Sequence, residues 1–389
     1  MRILVVAERY WPEGGGGELA THLIIGLLRG EAEITVVTGT PRPERVKGVN
    51  YIYEPLLRRG EKAVLWANAV RLASTKRFRE LLRQHDAIYI PRYAFPVVPA
   101  AAKMGRKTVV HLHGYAPLSY TAVVLAPYER RRVALDDLRI ECRKGVVHCA
   151  TAAALWWLPK LARKWIRQAD EVICVSKRQA QIIADAAPEL REKVRVVYNP
   201  RPPEEVEKRL SEVPTFIYAG GDSRIKGLPA VIRTIALLGK RGLRTRVVLT
   251  NNYGEKTRRA LEALAARYPA VEVKLTGRAG RGELARLHAE AWALLAPSIW
   301  EEPLPYAVLE AAAWATMPVA SAVGGIPEIT AGTPAEKYTV DLREVPQKAL
   351  ELAQSDPREV LKDAEKTREE VRRRFSPQEA VKRLLEAFV

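Results

Sequence analysis

Short runs of β-branched and apolar residues alternate with longer segments of helical periodicity along the whole chain. Such alternation is typical of parallel strands joined by crossover helices, because each helix covers a face of the sheet as the chain returns. Two series of strands are predicted. The first comprises residues 2–7, 33–37, 86–90, 107–111, 171–175 and 194–198, and the second comprises 215–219, 245–250, 271–275, 293–297 and 318–321. The sequence therefore predicts an α/β protein with two Rossmann-like domains.

A proline-rich stretch separates the two series. Asn199-Pro200-Arg201-Pro202-Pro203 is followed by charged residues up to Val213, and clustered prolines disfavour both helices and paired strands. A chain of 389 residues is long enough for two cores. We expect an N-terminal domain over 1–200, a linker over 201–213, a C-terminal domain over 214–375 and a last helix over 376–389.

The chain is strongly basic, with a formal net charge of +18. A surface of this charge attracts anions such as nucleotides, phosphorylated substrates, anionic lipids or nucleic acid. Nucleic acid is not expected as a partner, because no aromatic residues line a basic strand face and no nucleic-acid motif occurs. With 48% hydrophobic and 28% charged residues the chain is predicted to be globular. A surface rich in charge, with few Met and Cys, also fits a thermophile.

The three cysteines, Cys142, Cys149 and Cys174, show no metal-binding spacing and cannot all pair. Neither a zinc site nor a disulfide framework is predicted, and a reducing cytoplasm fits best. Residues 1–8 are predicted to form a buried strand rather than a secretory signal. The longest apolar stretches, near 120–128 and 146–159, are shorter than a membrane span. We expect a cytoplasmic protein that does not cross a membrane.

The long segment 116–169 is predicted to be mostly helical and mixes aromatic with basic residues. Two interpretations remain open. The segment can form an interfacial amphipathic helix whose cations meet anionic lipid, which would make the protein peripheral on the inner face of the membrane. Alternatively, its apolar face packs on its own domain with the cationic stems around it. The residues concerned are Trp156, Trp157, Lys160, Arg163, Lys164, Trp165 and Arg167.

Two motifs in the N-terminal half follow predicted strands. Four glycines, Gly14 to Gly17, come after the first strand and before a helix. Gly15 and Gly16 would let backbone approach an anion at the helix N-terminus, although a flexible turn explains them equally well. His113 ends another strand, at the edge where ligands of open α/β sheets collect, whereas His111 is expected in the core.

In the C-terminal half, a turn rich in glycine and cations separates the strand at 215–219 from a helix predicted to start near Pro229. Gly221, Arg224 and Lys226 lie in this turn. Cations before a helix N-terminus make a diphosphate site that needs no metal ion. Two solvated cations in a loop are the alternative.

The segment 296–310 carries two glutamates eight residues apart, Glu302 and Glu310. Pro305 suits the first turn of a helix, and that helix would offer the amide groups of Tyr306 and Ala307 to a phosphate. Glu310 could accept hydrogen bonds from ribose hydroxyls, as a carboxylate does in dinucleotide sites. Glu302, before the helix, could do the same for sugar hydroxyls.

In this order the motifs resemble the family 4 glycosyltransferases of GT-B fold. The resemblance covers nearly the whole chain. It implies two Rossmann-like domains facing a central cleft, with the last helix crossing back to an N-terminal domain that binds the acceptor. The motifs that carry it are the early glycine loop, His113-Gly114, Asp170 to Ser176, the Lys226-Gly227 turn, the two glutamates and Gly324 to Glu328.

The resemblance also implies roles for single residues. Lys226 would hold the donor diphosphate, Glu310 the nucleotide ribose and Glu302 the transferred sugar, with His113 facing the sugar across the cleft. The family is retaining and generally needs no metal, so we expect no cofactor besides the UDP- or GDP-sugar donor. A hexose would pass to a lipid-linked or glycan acceptor.

Two alternatives to this function remain open. A soluble sugar or sugar phosphate could be the acceptor, with the basic surface binding its phosphate. A non-catalytic subunit is the other alternative, because Gly221 stands where the family commonly has arginine in the phosphate turn. Arg224 is the candidate replacement. Pro200 and Ala315 also stand where the family often has glycine.

Overall fold

A computed structural model describes residues 1–58, 60–130 and 132–389. These residues form two compact units. Unit 1 comprises Met1–Pro200 and Phe375–Val389, and unit 2 comprises Arg201–Arg374. Each unit contains one sheet in which every strand pairing is parallel. The predicted α/β class with two parallel sheets is confirmed.

The seven-stranded sheet of unit 1 has the order β3-β2-β1-β4-β5-β6-β7. Six of its strands match the predicted series, because each is a local apolar run. The edge strand β3 was not predicted, because two of its four residues are exposed and its apolar run is only three residues long. The strands are β1 (Arg2–Ala7), β2 (Glu33–Thr38), β3 (Asn50–Tyr53), β4 (Ala87–Ile90), β5 (Lys107–Leu112), β6 (Glu171–Cys174) and β7 (Val194–Val196).

Helices connect these strands. They are α1 (Gly16–Leu28), α2 (Lys62–Ser74), α3 (Lys76–Gln84), α4 (Val98–Lys103), α5 (Val133–Glu141), α6 (Val146–Ala154), α7 (Leu158–Ile166) and α8 (Lys177–Ala186).

Unit 2 has a six-stranded sheet with the order β10-β9-β8-β11-β12-β13. The short edge strand β13 was missed, because two residues leave no periodic signal. The strands are β8 (Thr215–Tyr218), β9 (Thr245–Thr250), β10 (Val271–Gly277), β11 (Ala293–Ala296), β12 (Met317–Ser321) and β13 (Thr339–Val340). The helices are α9 (Leu228–Lys240), α10 (Glu255–Arg267), α11 (Arg281–Glu290), α12 (Tyr306–Ala313), α13 (Ile326–Thr330), α14 (Val345–Ala353) and α15 (Pro357–Arg374).

The last helix, α16 (Pro377–Phe388), belongs to unit 1. Leu384 and Phe388 are buried in the same core cluster as Ile3 of β1. The Phe388 ring meets the Tyr89 ring edge to face, with 5.6 Å between the centroids. The chain therefore returns to the first core after completing the second.

In both sheets the strand order reverses beside the first strand of the unit, between β1 and β4 and between β8 and β11. At such a switch point the loops that leave the two neighbouring strands diverge, which opens a crevice outside their carboxyl ends. Ligands of open α/β sheets bind there. The loops after β8 and β11 contain the residues singled out in the C-terminal half.

The segment 201–213, predicted as a linker, packs along unit 2. The Lys208 ammonium donates to the His288 carbonyl at 2.5 Å and to the Thr316 hydroxyl at 2.8 Å. The Trp292 indole donates to the Ser211 carbonyl at 2.8 Å. These partly buried hydrogen bonds fix the segment against the ends of α11 and β11.

One disulfide bond joins Cys142 to Cys149, although the spacing of the cysteines had indicated no disulfide framework, and Cys174 is free, as three cysteines that cannot all pair require. In one continuous helix, residues seven apart are about 10 Å distant. Here the helix breaks at Gly145, where φ is +134°, so the chain turns back and the two Cα atoms lie 4.1 Å apart.

The basic helix α7 packs on unit 1, as the second interpretation of segment 116–169 proposed. Leu158, Ala162 and Ile166 are buried. The Trp165 ring meets the Trp66 ring edge to face, with 5.3 Å between centroids. No helix within the described ranges combines the length and the apolar character of a membrane span.

Candidate functional site

An ion pair lies at the switch point of unit 2. Lys226 follows β8, Glu302 follows β11, and the ammonium donates to both carboxylate oxygens at 2.8 and 3.0 Å. The Ser298 hydroxyl donates to the same carboxylate at 2.5 Å. Glu302 is buried, whereas the Lys226 side chain keeps 37% of its surface exposed. The pair therefore presents a cation to solvent, above a carboxylate that the protein holds in place.

Backbone contacts fix the two loops that carry this pair. The amide of Ile299 donates to the carbonyl of Ile225 at 2.9 Å, which joins the loop after β11 to the turn after β8. Gly324 follows β12 with φ at +57°, and a Cβ there would lie 2.0 Å from the Glu302 carbonyl oxygen. Gly325 donates its amide to that oxygen at 2.7 Å. The glycine pair thus lets the backbone of Glu302 rest directly on the neighbouring turn.

Helix α12 begins at Tyr306, with Pro305 as its N-cap. Tyr306 and Ala307 occupy its first turn, where amide groups point along the helix axis and favour an anion. The sequence predicted this helix start. Proline at the cap is suited to the position because its fixed φ leads into the helix.

Glu310 lies one turn further along α12 and pairs with Arg281, which no motif had indicated. The Arg281 guanidinium donates to Glu310 at 2.5 Å and, through two nitrogens, to Glu204 at 2.5 and 2.7 Å. Burial raises the pKa of Glu310, while the charge of Arg281 acts in the opposite direction. The pKa of Glu204 is lowered, because the hydrogen bond and charge of Arg281 outweigh its partial burial.

Arg281 begins α11, directly after β10. The carboxyl ends of parallel strands meet at one edge of a sheet, so an arginine after β10 is a candidate partner for residues after β8 and β11. That signal was available in the sequence. What the sequence did not give was the strand order that decides which of these loops meet.

The backbone at Gly221 adopts φ at +65°, which strongly favours glycine. A Cβ at this position would also lie 3.3 Å from the Cβ of Asn251. This loop conformation disfavours the arginine that the family commonly has there. Arg224 is exposed in the same turn, two residues before Lys226.

In unit 1, the glycine loop after β1 surrounds a buried carboxylate. Glu18 accepts a hydrogen bond from the Gly15 amide at 2.9 Å. Arg9 and Arg92 pair with it at 2.9 and 2.7 Å. Gly16 begins α1. Glu18 of α1 therefore holds the loop through its hydrogen bond to Gly15, which argues against the interpretation as a flexible turn.

His113 immediately follows β5 and is half-buried, with its ring centroid 4.4 Å from that of His111. Burial holds the pKa of His113 well below its ordinary value, and the nearby His111 and Arg92 add to the effect. Within the described residues its Nε2 atom has no hydrogen-bond partner. His111 lies in the core as predicted and bonds the Tyr89 hydroxyl at 2.6 Å. His113 is thus a neutral imidazole at a strand end.

Comparisons with known proteins agree with this architecture. The family model "Glycosyltransferase Family 4" matches residues 13–205 and the model "Glycosyl transferases group 1" matches residues 213–355, so that together they cover most of the chain. No curated protein matches the sequence.

Three solved structures share the fold over nearly all of both chains. The Anabaena HepE structure in complex with UDP-glucose has a TM-score of 0.68 at 18% identity, covering 99% of this chain and 98% of that one. Sucrose-phosphate synthase from Thermosynechococcus elongatus has a TM-score of 0.74 at 16% identity, covering 100% and 98%. An E. coli structure described as trehalose-6-phosphate bound with UDP-2-fluoro glucose has a TM-score of 0.67 at 13% identity, covering 100% and 99%. The chain therefore belongs to the family 4 glycosyltransferases, enzymes of GT-B fold that use a nucleotide sugar.

Proposed function

We propose that the protein is a retaining hexosyltransferase that takes its sugar from a UDP- or GDP-linked donor and needs no metal ion. The observation that carries this proposal is the pairing of an exposed Lys226 with a buried Glu302 at the switch point of unit 2. A cation and a carboxylate side by side suit the two ends of a sugar diphosphate. The ammonium binds the phosphates, and the carboxylate accepts hydrogen bonds from the sugar hydroxyls.

Positive charge for the diphosphate comes from the chain itself in this proposal. Arg224 is exposed in the same turn as Lys226, and Pro305, Tyr306 and Ala307 form the start of α12, where the helix dipole favours an anion. Gly221 adopts the positive φ of this turn. These groups take the role that a divalent cation has in other phosphate sites.

Glu310 is assigned to the nucleotide ribose. An ionised carboxylate can accept a hydrogen bond from each of two vicinal hydroxyls with both of its oxygens, whereas protonation turns one oxygen into a donor. Burial alone favours the neutral form of Glu310, and the Arg281 contact opposes that tendency. We therefore assign Arg281 the role of a positioning residue that keeps Glu310 charged and oriented.

In the transfer step, the bond from the anomeric carbon to the diphosphate oxygen breaks and a bond to the acceptor oxygen forms on the same face of the sugar. The acceptor proton leaves with the departing diphosphate. His113 is neutral over the physiological range and would donate or accept a hydrogen bond at a sugar hydroxyl, rather than carry a charge. Gly15 and Gly16 are candidates to bind an anion at the N-terminus of α1. Catalysis then rests on positioning and on charge stabilisation of the leaving group.

The acceptor is proposed to be a lipid-linked sugar or a glycan. A lipid-linked acceptor would bring the enzyme to the inner face of the membrane as a peripheral protein. A cavity of about 280 Å³ in unit 1 supports a hydroxylated acceptor, because both charged and aromatic side chains line it. Burial lowers the pKa of Lys62 in this cavity to about 8. Its other lining residues include Glu8, Tyr93, Tyr120, Glu141 and His148.

Donor screening tests the proposal. Purified protein is incubated with UDP- and GDP-hexoses, in the presence and absence of EDTA, and the anomeric configuration of the product is read by NMR. We expect release of nucleoside diphosphate without added metal and a product that keeps the donor configuration. Glu310→Ala is expected to weaken nucleotide binding at least about tenfold, as for the loss of charged hydrogen bonds.

Three results would overturn the proposal. No turnover or hydrolysis of any common nucleotide sugar would favour a non-catalytic subunit. An inverted product would exclude retention. Unchanged nucleotide affinity in Glu310→Ala would remove the ribose assignment. A panel of lipid-linked, glycan and sugar-phosphate acceptors then distinguishes the acceptor classes.

A further inference from the structure

Large apolar side chains are unusually exposed in one part of unit 1. Val146 and Val147 of α6 are 85% and 77% exposed, and Trp156 and Trp157 of the following turn are 55% and 44% exposed. Ala152 is the one buried residue of α6. A helix that is apolar on most sides is normally buried, so an exposed one indicates a contact surface.

The charged residues of the segment itself have one sign, although Glu141 and Glu189 pair with two of its cations from outside the segment. Residues 142–169, here called the basic apolar segment, contain no Asp or Glu, although the chain as a whole has 45. The segment contains six cations. They are Arg143, Lys144, Lys160, Arg163, Lys164 and Arg167. The partner that covers this surface must therefore be both apolar and negatively charged.

The rest of the molecule holds the segment in place without covering it. Helix α7 buries its own apolar face, with Leu158 and Ile166 inside unit 1. The Cys142–Cys149 disulfide closes the turn between α5 and α6. The valines of α6 therefore stay exposed to solvent, because the neighbouring helix α7 already fills its place on the core of unit 1.

We propose that α6 and the Trp156-Trp157 turn bind the surface of an anionic lipid bilayer. Valine side chains would enter the boundary between headgroups and acyl chains, and the two indoles would lie at headgroup level. Lys160, whose ammonium lies 5.0 Å from the centroid of the Trp156 ring, and Lys164 would meet the lipid phosphates. A bilayer supplies the apolar layer and the anionic layer together, which matches the two properties of the segment.

This surface adjoins the unit 1 cavity, because Glu141, Lys144 and His148 line that cavity and flank or belong to α6. Binding to a bilayer would therefore hold the cavity at the lipid headgroups. Membrane binding itself does not depend on the donor chemistry proposed above, so the two proposals can fail separately.

Vesicle flotation of the full chain, without any donor, tests the inference. Wild-type protein is expected to float with vesicles of phosphatidylcholine and phosphatidylglycerol, and not with phosphatidylcholine alone. Val146→Ser/Val147→Ser is expected to lower the partition coefficient about tenfold or more. Val64→Ser/Val70→Ser is the matched control, because these α2 valines are 55% and 46% exposed outside the segment.

Two further variants separate the apolar from the ionic contribution. Lys160→Ala/Lys164→Ala should lower binding about 30-fold, or about 2 kcal/mol at 1.4 kcal/mol per tenfold. Trp156→Ser/Trp157→Ser should abolish the blue shift of tryptophan emission on adding anionic vesicles. Circular dichroism melts verify that each variant is folded.

Several results would overturn the inference. Wild-type protein that stays unbound on anionic vesicles excludes it, as does an equal loss of binding in the control variant. Concentration-dependent self-association that Val146→Ser/Val147→Ser abolishes, without any flotation, would assign the surface to a protein contact instead.

Discussion

Replacing Arg281 with methionine leaves the buried carboxylate of Glu310 without the cation that faces it. The Glu310 side chain is 10% exposed and that of Arg281 is 20% exposed, so water cannot replace the lost contact. Glu204, the other partner of Arg281, is 34% exposed and can be solvated. The cost of the substitution therefore falls on Glu310.

The magnitude follows from this burial. Breaking a buried ion pair by removing one partner costs about 3 to 5 kcal/mol, and the residual exposure here places the cost near about 3 kcal/mol at pH 8. At pH 5 the loss should shrink to about 1 kcal/mol or less, because the protonated carboxyl needs no cation.

The direction with pH can be worked out from the pKa. Burial raises the pKa of Glu310 in the folded state, so between the unfolded and the folded pKa the folded chain holds a proton that the unfolded chain has released. The free energy of unfolding then falls as pH rises through this interval, by at most about 1.4 kcal/mol per pH unit. Removing Arg281 raises the folded pKa further and widens the interval.

Urea denaturation between pH 5 and pH 8 measures the effect. Arg286→Met, an exposed position on the same helix, is the control and should change stability by less than about 0.5 kcal/mol. Arg281→Met/Glu310→Gln should recover most of the loss, since both buried charges are gone. A loss in Arg281→Met that does not depend on pH, or a double variant less stable than the single one, would refute the reasoning.

Three other predictions follow from the site and the fold. Lys226→Met should lower kcat/KM for transfer about 100-fold in steady-state assays, as for the loss of one charge-stabilising donor; unchanged kcat/KM would contradict the diphosphate role. Gly324→Ala should lower the free energy of unfolding by about 3 kcal/mol, because its Cβ would meet the Glu302 carbonyl. Gly332→Ala, at φ +70° with no close backbone contact, should cost about 1 kcal/mol, and equal losses would contradict the steric argument. Thiol titration of denatured protein should find one reactive cysteine before reduction and three after, and three before reduction would exclude the disulfide.

The sequence predicted most strands to within a residue or two, because a buried parallel strand is a short apolar run that can be read locally. The two edge strands were not predicted because they lack such a run. Asn50–Tyr53 is only partly buried, and Thr339–Val340 is too short to show a period. The start of α12 was predicted because Pro305 is a local signal. The resemblance implied that Lys226 and Glu302 belong to one donor site, and the structure brings them into contact.

Other features needed the tertiary structure. The Arg281–Glu310 pair depends on the strand order of unit 2, and the helix break at Gly145 brings two distant cysteines together. The aromatic and basic residues of 156–167 suggested one amphipathic helix, but the structure buries the apolar face of α7 and exposes α6 instead. Periodicity and end signals are local, so the sequence by itself determined the elements and the loops that carry the chemistry. Contacts between loops distant in the sequence depend on how the strands are ordered and which faces are already covered, and those were decided by packing alone.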